Sequence, residues 1–308
     1  MALAPPTTSQ PCTSERPTES RAADRGVRPV KRAHAKVNLW LNVVGRRPDG
    51  YHLLDSLVAF VDLADTVEVR PADGLSLDID GPHGAGLAAE PQNLVLTAAR
   101  LLAARAGRSP DVAISLGKHI PVAAGLGGGS ADAAATLQAL AELWDVSLSE
   151  AMWSHITRSL GADVPMCLAG RTALASGVGE RLEPAPPLPD AAILLVNPGI
   201  GLATRDVFAA RKGAFSRSIP LQGSWTSGRE LAQELARRGN DLTAAATSLC
   251  RPIGKVLAAL GAAPGSLYAG MSGSGATCFA LFDSLEAAQN IAASLPPAWW
   301  RHAGRFVG

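Results

Sequence analysis

The chain of 308 residues lacks the features that mark several classes of protein. No apolar run approaches the roughly 18 residues that a membrane-spanning helix needs, so we expect no membrane partner. The formal net charge is only +1, which gives no electrostatic reason to expect nucleic acid as a partner. The composition favours a globular protein, because a hydrophobic fraction of 47% is enough to form a core.

Cysteine is also scarce. The chain has four cysteines, which are widely spaced and form no CxxC pair. This spacing argues against a zinc site or a disulfide framework and fits a reducing compartment. We therefore expect a cytoplasmic location.

Residues 1–30 differ in composition from the rest of the chain. They are rich in Pro, Ser, Thr and charge and show no apolar periodicity, which predicts a disordered N-terminal extension. This stretch also lacks the apolar segment of a secretory signal. Further along, the Pro-rich segment "LEPAPPLPDA" predicts a linker and divides the remainder into domains 31–187 and 188–308.

Strand and helix patterns alternate irregularly along the chain. "AKVNLWLNVVG" predicts a strand in which Lys36, Asn38 and Trp40 lie on one face, while Leu39 and Leu41 lie on the other. "NLVLTAARLLAARAG" predicts an amphipathic helix with Asn93 as its N-cap. "ADVPMCLAGRTALASG" predicts a turn that leads into a strand. This order favours α+β layers over a repeated βαβ winding.

The stretch "PVAAGLGGGSADAAATLQAL", which begins at Pro121, places four glycines directly before a run of alanines. Glycine permits unusual backbone angles and close approach, whereas alanine is the strongest helix former. Tight helix packing is one explanation. Another is a loop at a helix N-terminus whose backbone N–H groups bind a polyphosphate, with the Ser130 hydroxyl as a candidate ligand for phosphate or Mg²⁺.

Two other phosphate-binding motifs do not fit this stretch. A P-loop needs a Lys after its last glycine, and none is present. The spacing Gly125-x-Gly127-x-x-Ser130 approaches the dinucleotide fingerprint. That fingerprint also needs an acidic residue at the end of the next strand, about twenty residues on, where this sequence predicts a helix.

The same residues resemble the phosphate-binding motif of the GHMP kinases, the superfamily named for galactokinase, homoserine kinase, mevalonate kinase and phosphomevalonate kinase. Three further stretches are similar, in order, to GHMP kinases that act on a cytidine-diphosphate-linked methylerythritol. They are "AKVNLWLNVVGRRPDGYHLLDSL", "LGADVPMCLAGRTALASGVGERL" and "MSGSGATCFALF". Together the four stretches extend over nearly all of the chain from about residue 31.

The resemblance implies a two-domain α+β fold, with an N-terminal domain like that of ribosomal protein S5 and a ferredoxin-like C-terminal domain. It implies transfer of the ATP γ-phosphoryl group, with Mg²⁺, to the acceptor's 2-hydroxyl in non-mevalonate isoprenoid synthesis. A sister GHMP kinase for mevalonate or homoserine, and a non-catalytic nucleotide-binding member, remain alternatives. Ala131 is a departure, because some relatives carry a second Ser there.

The resemblance also assigns site residues. It places Lys36 beside the acceptor hydroxyl and makes Asp163 the catalytic base, although a solvated lysine and a turn aspartate are the ordinary interpretations. It implies that Tyr51 and Phe208 bracket the cytosine, that His52 bonds its edge, and that Thr204 and Asn38 lie nearby. The implied ATP-binding residues are Asn93, Pro121, Val122, Ala123, Ala124, Gly125, Leu126, Gly127, Gly128, Gly129, Ser130 and Ala131.

Overall fold

The computed structural model describes residues 1, 28–85, 87, 93–221 and 223–308. The predicted disordered extension, residues 1–30, lies almost entirely outside the described residues. Within the described ranges, no helix combines the length and the apolar character needed to cross a bilayer. The cysteines in these ranges, Cys167, Cys250 and Cys278, are free thiols.

The N-terminal half of the described chain mixes strands and helices, as predicted. Its strands are β1 (Val30–Arg46), β2 (His52–Pro71), β3 (Ser76–Asp80), β4 (Val112–Gly117), β5 (Ala173–Gly177) and β6 (Arg181–Pro184). Its helices are α1 (Leu94–Arg105), α2 (Gly128–Trp144), α3 (Glu150–Leu160) and α4 (Val164–Ala169).

The C-terminal half has the same mixed character. Its strands are β7 (Ala192–Asn197), β8 (Tyr268–Met271), β9 (Cys278–Phe282) and β10 (Trp300–Val307). Its helices are α5 (Thr204–Ala210), α6 (Gly228–Arg238), α7 (Thr243–Leu249), α8 (Arg251–Gly261) and α9 (Leu285–Ser294).

The long strand β2 organises the sheet. It pairs antiparallel with β1 over most of its length, and its other edge pairs in turn with β5, β10 and β4. The last strand, β10, also pairs with β7, and β7 pairs with β9. The end of the chain therefore joins the sheet of the C-terminal half to that of the N-terminal half.

Buried apolar side chains form a core within each half and another where the halves meet. Helices α1 and α2 cover one part of the sheet, and α7, α8 and α9 cover another. The core between the halves combines Val37 and Leu57 with Ile193 and Phe279. Since these side chains are fully buried, each contributes about 1.5–3 kcal/mol to the stability of the folded protein.

A β-bulge in β1 changes the predicted alternation of its side chains. The pairing with β2 skips Leu39, so that Asn38 and Trp40 lie opposite neighbouring residues of β2. One extra residue in a strand moves every later side chain to the opposite face. Leu41 therefore lines the same cleft as Lys36 and Asn38, and the predicted alternation is wrong beyond Asn38.

The segment around Asp163 also differs from its prediction. A short helix, α4, follows Asp163 directly, where the sequence predicts a turn into a strand. Pro165 lies in the first turn of this helix, where its missing N–H costs no hydrogen bond. The other local predictions agree better: Asn93 is the N-cap of α1, because its side chain accepts a hydrogen bond from the Val95 N–H at 2.9 Å.

Candidate active site

The glycine-rich loop, residues 121–129, follows β4 and runs into the first turn of α2. Gly125 and Gly127 have φ angles of 77° and 67°, a left-handed conformation that favours glycine. Gly127 is the N-cap of α2 and leaves the first turn without a side-chain cap. The N–H groups at this helix start therefore have no side-chain partner at the cap and can bind an anion.

A cavity of about 370 Å³ lies against this loop. Every residue from Pro121 to Ser130 lines it, and Asn93 and Leu94 contribute from the start of α1. The predicted nucleotide residues therefore surround one cavity, apart from Ala131, which is buried beneath it in α2.

Lys36 passes directly over the loop. Its backbone N–H donates to the Leu126 carbonyl at 3.0 Å, and its side chain lies against Gly127. A Cβ at Gly127 would be only 2.7 Å from Lys36 Cγ, a distance that real contacts do not show. The missing side chain at Gly127 is therefore what lets Lys36 cross the loop.

The Lys36 ammonium is buried and paired. Only 7% of Lys36 is exposed, and its Nζ lies 3.3 Å from Asp163 Oδ2 and 2.7 Å from Asn38 Oδ1. Asn38 in turn donates to the Ser56 hydroxyl at 2.8 Å, which fixes its amide orientation. The structure thus brings Lys36, Asp163 and Asn38 together, and the Asp163 side chain remains 37% exposed to the cleft.

A second loop, residues 272–277 between β8 and β9, closes the cleft from the C-terminal half. The Asn38 N–H donates to Ser272 Oγ at 3.1 Å, and Ser274 Oγ lies 2.9 Å from Thr204 Oγ1. The Gly275 carbonyl packs so closely on Gly125 that a Cβ there would be 2.4 Å from its oxygen. The two loops are therefore in direct backbone contact.

A larger cavity of about 1210 Å³ opens beside the Lys36–Asp163 pair. Tyr51, His52, Thr204 and Phe208 line it, so the predicted acceptor residues share one space. Tyr51 is 65% exposed, so much of its ring is free to contact a ligand.

His52 and Phe208 stack on each other, which the sequence analysis did not predict. Their ring centroids are 4.9 Å apart at an interplanar angle of 22°. A base that stacks on Phe208 would therefore use the face that His52 leaves free. Burial lowers the pKa of His52 below its ordinary 6.5, and the guanidinium groups of Arg46 and Arg211 lower it further. The imidazole is neutral at pH 7 and can both donate and accept a hydrogen bond.

A buried ionic cluster behind the glycine loop was missed by sequence reasoning. Lys118 Nζ donates to Asp65 and, at 2.8 Å, to Asp132 Oδ2. Asp65 also accepts the backbone N–H groups of His119 and Ile120 at 2.5 and 2.7 Å. A Cβ at Gly128 would be 3.0 Å from Lys118 Nζ, so this ammonium lies against the first turn of α2.

Asp132 is the member of this cluster with incomplete hydrogen bonding. Its Oδ1 is buried without a hydrogen-bond partner among the described residues. Burial raises the pKa of Asp132 to about 8, against the opposing effect of Lys118 and with a further increase from Asp65. The sequence carried a partial signal, since a lysine shortly before a glycine loop, here Lys118, is suited to pairing with an anion.

Comparisons with known proteins match parts of both halves of the chain to one family. The family model of the GHMP kinase N-terminal domain matches residues 93–171, and that of the GHMP kinase C-terminal domain matches residues 215–302. The 4-diphosphocytidyl-2-C-methyl-D-erythritol kinase of Rhodospirillum rubrum is 51% identical over 282 residues, which cover 91% of this chain and 93% of that protein. The kinase of the same name from Gluconacetobacter diazotrophicus is 48% identical over 287 residues, covering 90% and 94%.

Solved structures show the same relationship. The crystal structure of a 4-(cytidine 5'-diphospho)-2C-methyl-D-erythritol kinase matches with a TM-score of 0.75 and 36% identity, covering 91% of this chain and 100% of that one. A homoserine kinase from Cytophaga hutchinsonii matches with a TM-score of 0.63 at 20% identity, covering 88% and 94%, and shares the fold alone.

The contact between Lys36 and Gly127 generates a prediction. Gly127→Ala should lower kcat/KM at least tenfold, because a left-handed alanine costs about 1–2 kcal/mol and its Cβ displaces the Lys36 stem. Steady-state kinetics with thermal unfolding measures this. Gly107→Ala is the matched control, since its φ of 64° is also left-handed but a Cβ there would meet nothing within 4 Å. A fully active Gly127→Ala enzyme would show that the close packing is unimportant.

Proposed function

Because the chain belongs to the GHMP kinases and, among them, to the 4-diphosphocytidyl-2-C-methyl-D-erythritol kinases, we propose that it phosphorylates the 2-hydroxyl of 4-diphosphocytidyl-2-C-methyl-D-erythritol with ATP. The products are the 2-phosphate and ADP, in the non-mevalonate route to isoprenoid precursors. The observation that supports this most directly is the Lys36–Asp163 pair, which lies between the glycine-loop cavity and the larger cavity. The predicted two-domain α+β fold is that of the family.

The glycine loop supplies the nucleotide site in this proposal. Backbone N–H groups at the start of α2 bind the phosphates, and the missing side chains of the loop let them approach. Asn93 and Leu94, which line the same cavity from the start of α1, are the candidate contacts of the adenine.

In this proposal Mg²⁺ binds together with the nucleotide. The described residues contain no group of three or more His, Cys, Asp or Glu side chains that would hold a metal ion. Ser130 lines both cavities, so its hydroxyl is the candidate protein ligand for an ion that is carried chiefly by phosphate oxygens and water, as Mg²⁺ often is. The bound ion would neutralise phosphate charge.

Lys36 and Asp163 carry the chemistry. Phosphoryl transfer requires the protein mainly to position the two substrates and to stabilise charge, and it also requires a group that takes the hydroxyl proton. We assign that proton to the Asp163 carboxylate, which is open to the acceptor cavity. The Lys36 ammonium, 3.3 Å away, stabilises the negative charge that develops on the acceptor oxygen. Asn38 holds the ammonium at that position.

The acceptor extends from this pair along the larger cavity. Thr204 lies beside the second loop, and the exposed Tyr51 ring offers a stacking face to the cytosine. The neutral His52, which stacks on Phe208, is the candidate hydrogen-bonding partner for the edge of the base.

A small-molecule acceptor also agrees with the charge of the chain. The net charge of +1 supports an acceptor of this kind over nucleic acid. The scattered thiols support a cytoplasmic location. A mevalonate or homoserine acceptor is less well supported, because the mevalonate kinase and homoserine kinase structures are at most 20% identical to this chain.

A direct test compares acceptors. With ATP, the protein should phosphorylate the cytidylyl acceptor at least a hundredfold more efficiently than free methylerythritol, mevalonate or homoserine. The reason is that only the cytidylyl acceptor has a cytosine to occupy the part of the cavity beside Tyr51 and His52. The measurement is kcat/KM by an ADP-coupled assay, with product identity by mass spectrometry. Preference for one of the small alcohols would establish the sister-kinase alternative, and absence of turnover with all four would favour a non-catalytic protein.

Replacing the proposed base tests the chemistry. Asp163→Asn should lower kcat by about 10²–10⁴-fold, because the amide keeps the shape but does not take the proton. The dissociation constants of both substrates should change little, which marks a loss specific to the transition state. Normal turnover by a folded Asp163→Asn enzyme would remove this residue from the mechanism.

Tyr51 tests the acceptor assignment. Tyr51→Ala should raise the KM of the cytidylyl acceptor about tenfold or more, since stacking of a base on an aromatic ring is worth ~1–3 kcal/mol. The KM of ATP is the internal control and should stay constant. Equal shifts of the two constants would give Tyr51 a structural role only.

A further inference from the structure

Thr277 lies at the point where the second loop meets the glycine-rich loop. It is 0% exposed and immediately precedes β9. Its hydroxyl donates to the Ala124 carbonyl at 2.5 Å and accepts a hydrogen bond from Asn197 Nδ2 at 2.9 Å. Both hydrogen-bonding roles of the hydroxyl are therefore used, one of them on the backbone of the nucleotide loop.

The carbonyl that Thr277 holds lies in a strained part of the loop. Ala123, immediately before it, has a φ of 54°, and Gly125, immediately after it, has a φ of 77°. A left-handed alanine persists only when its surroundings fix it. Ala124 is itself 4% exposed, so its carbonyl would lack a partner if the Thr277 hydroxyl were removed.

Rigid elements of the C-terminal half fix the direction of the Thr277 hydroxyl. Asn197 ends β7, and its Oδ1 accepts the Gly199 N–H at 2.8 Å, which orients its amide toward Thr277. Strands β7 and β9 pair with each other up to Val196 and Cys278, so Asn197 and Thr277 lie next to each other at one end of this sheet. The shape of the nucleotide loop is thus set partly by residues that do not line its cavity.

We propose that Thr277 is a positioning residue for the nucleotide: its hydroxyl holds the Ala124 carbonyl and so keeps the loop in the shape that binds phosphates. This inference rests on the proposed nucleotide role of the loop. It implies that nucleotide affinity depends on a side chain of the opposite half of the protein, while the acceptor cavity does not depend on it.

The test uses a series of substitutions in the full-length protein. Thr277→Val keeps the volume and removes the hydroxyl, whereas Thr277→Ser keeps the hydroxyl. Thr157→Val is the matched control, because Thr157 is 1% exposed and its hydroxyl donates to the Trp153 carbonyl at 2.9 Å within α3. The measured quantities are the Kd of a non-hydrolysable ATP analogue, the KM of each substrate and the melting temperature.

Thr277→Val should raise the Kd of the analogue and the KM of ATP about five- to hundredfold and leave the acceptor KM within about twofold. Thr277→Ser should restore nucleotide affinity to near the wild-type value. Thr157→Val should lower the melting temperature without changing either KM. If Thr277→Val does not fold, the same comparison is made between Thr277→Ala and Thr277→Ser.

Several outcomes would overturn the inference. One is a Thr277→Val or Thr277→Ala protein that binds the analogue as the wild type does. Another is an equal rise in both KM values, which would make Thr277 a general packing residue. Failure of the proposed nucleotide role gives a different result. In that case the wild-type protein itself would bind no ATP analogue, or Gly127→Ala would leave the Kd of the analogue unchanged.

Discussion

The close packing of the Lys36 side chain on Gly127 is the constraint on which the site depends. The ammonium reaches Asp163 only because no side chain stands at Gly127. Burying a lone ammonium is costly, so the acidic partner and the Asn38 amide are needed to keep Lys36 in place. The same glycine that opens the loop therefore also brings the proposed catalytic pair beside the proposed phosphate site.

The second constraint is the contact between the two halves of the protein. The backbones of Gly125 and Gly275 touch, and the core beneath them combines side chains from both halves. The strand β10 returns to pair with β2, so the end of the chain ties the halves together. Because the cleft lies along this junction, the proposed nucleotide and acceptor sites are built from parts of the chain that are far apart in sequence.

Local patterns predicted much of this molecule, and longer-range geometry accounts for the rest. The Asn93 cap and the glycine-loop-to-helix transition follow from residue chemistry, whereas the pairing of Lys36 with Asp163 was implied by family resemblance. The bulge at Leu39 was not predicted, because it depends on how β1 registers with β2. The cluster around Lys118 joins three separate segments, and only the tertiary structure brings its carboxylates together.

The central claim is that the Lys36–Asp163 pair is the meeting point of the two substrates. The most direct measurement is a crystal structure with a non-hydrolysable ATP analogue and the cytidylyl acceptor bound together. We expect the γ-phosphorus at the glycine loop, in line with the acceptor 2-hydroxyl, and that hydroxyl within about 3.2 Å of Asp163. An acceptor hydroxyl bound outside hydrogen-bonding reach of both Asp163 and Lys36, with the nucleotide in the loop, would contradict it.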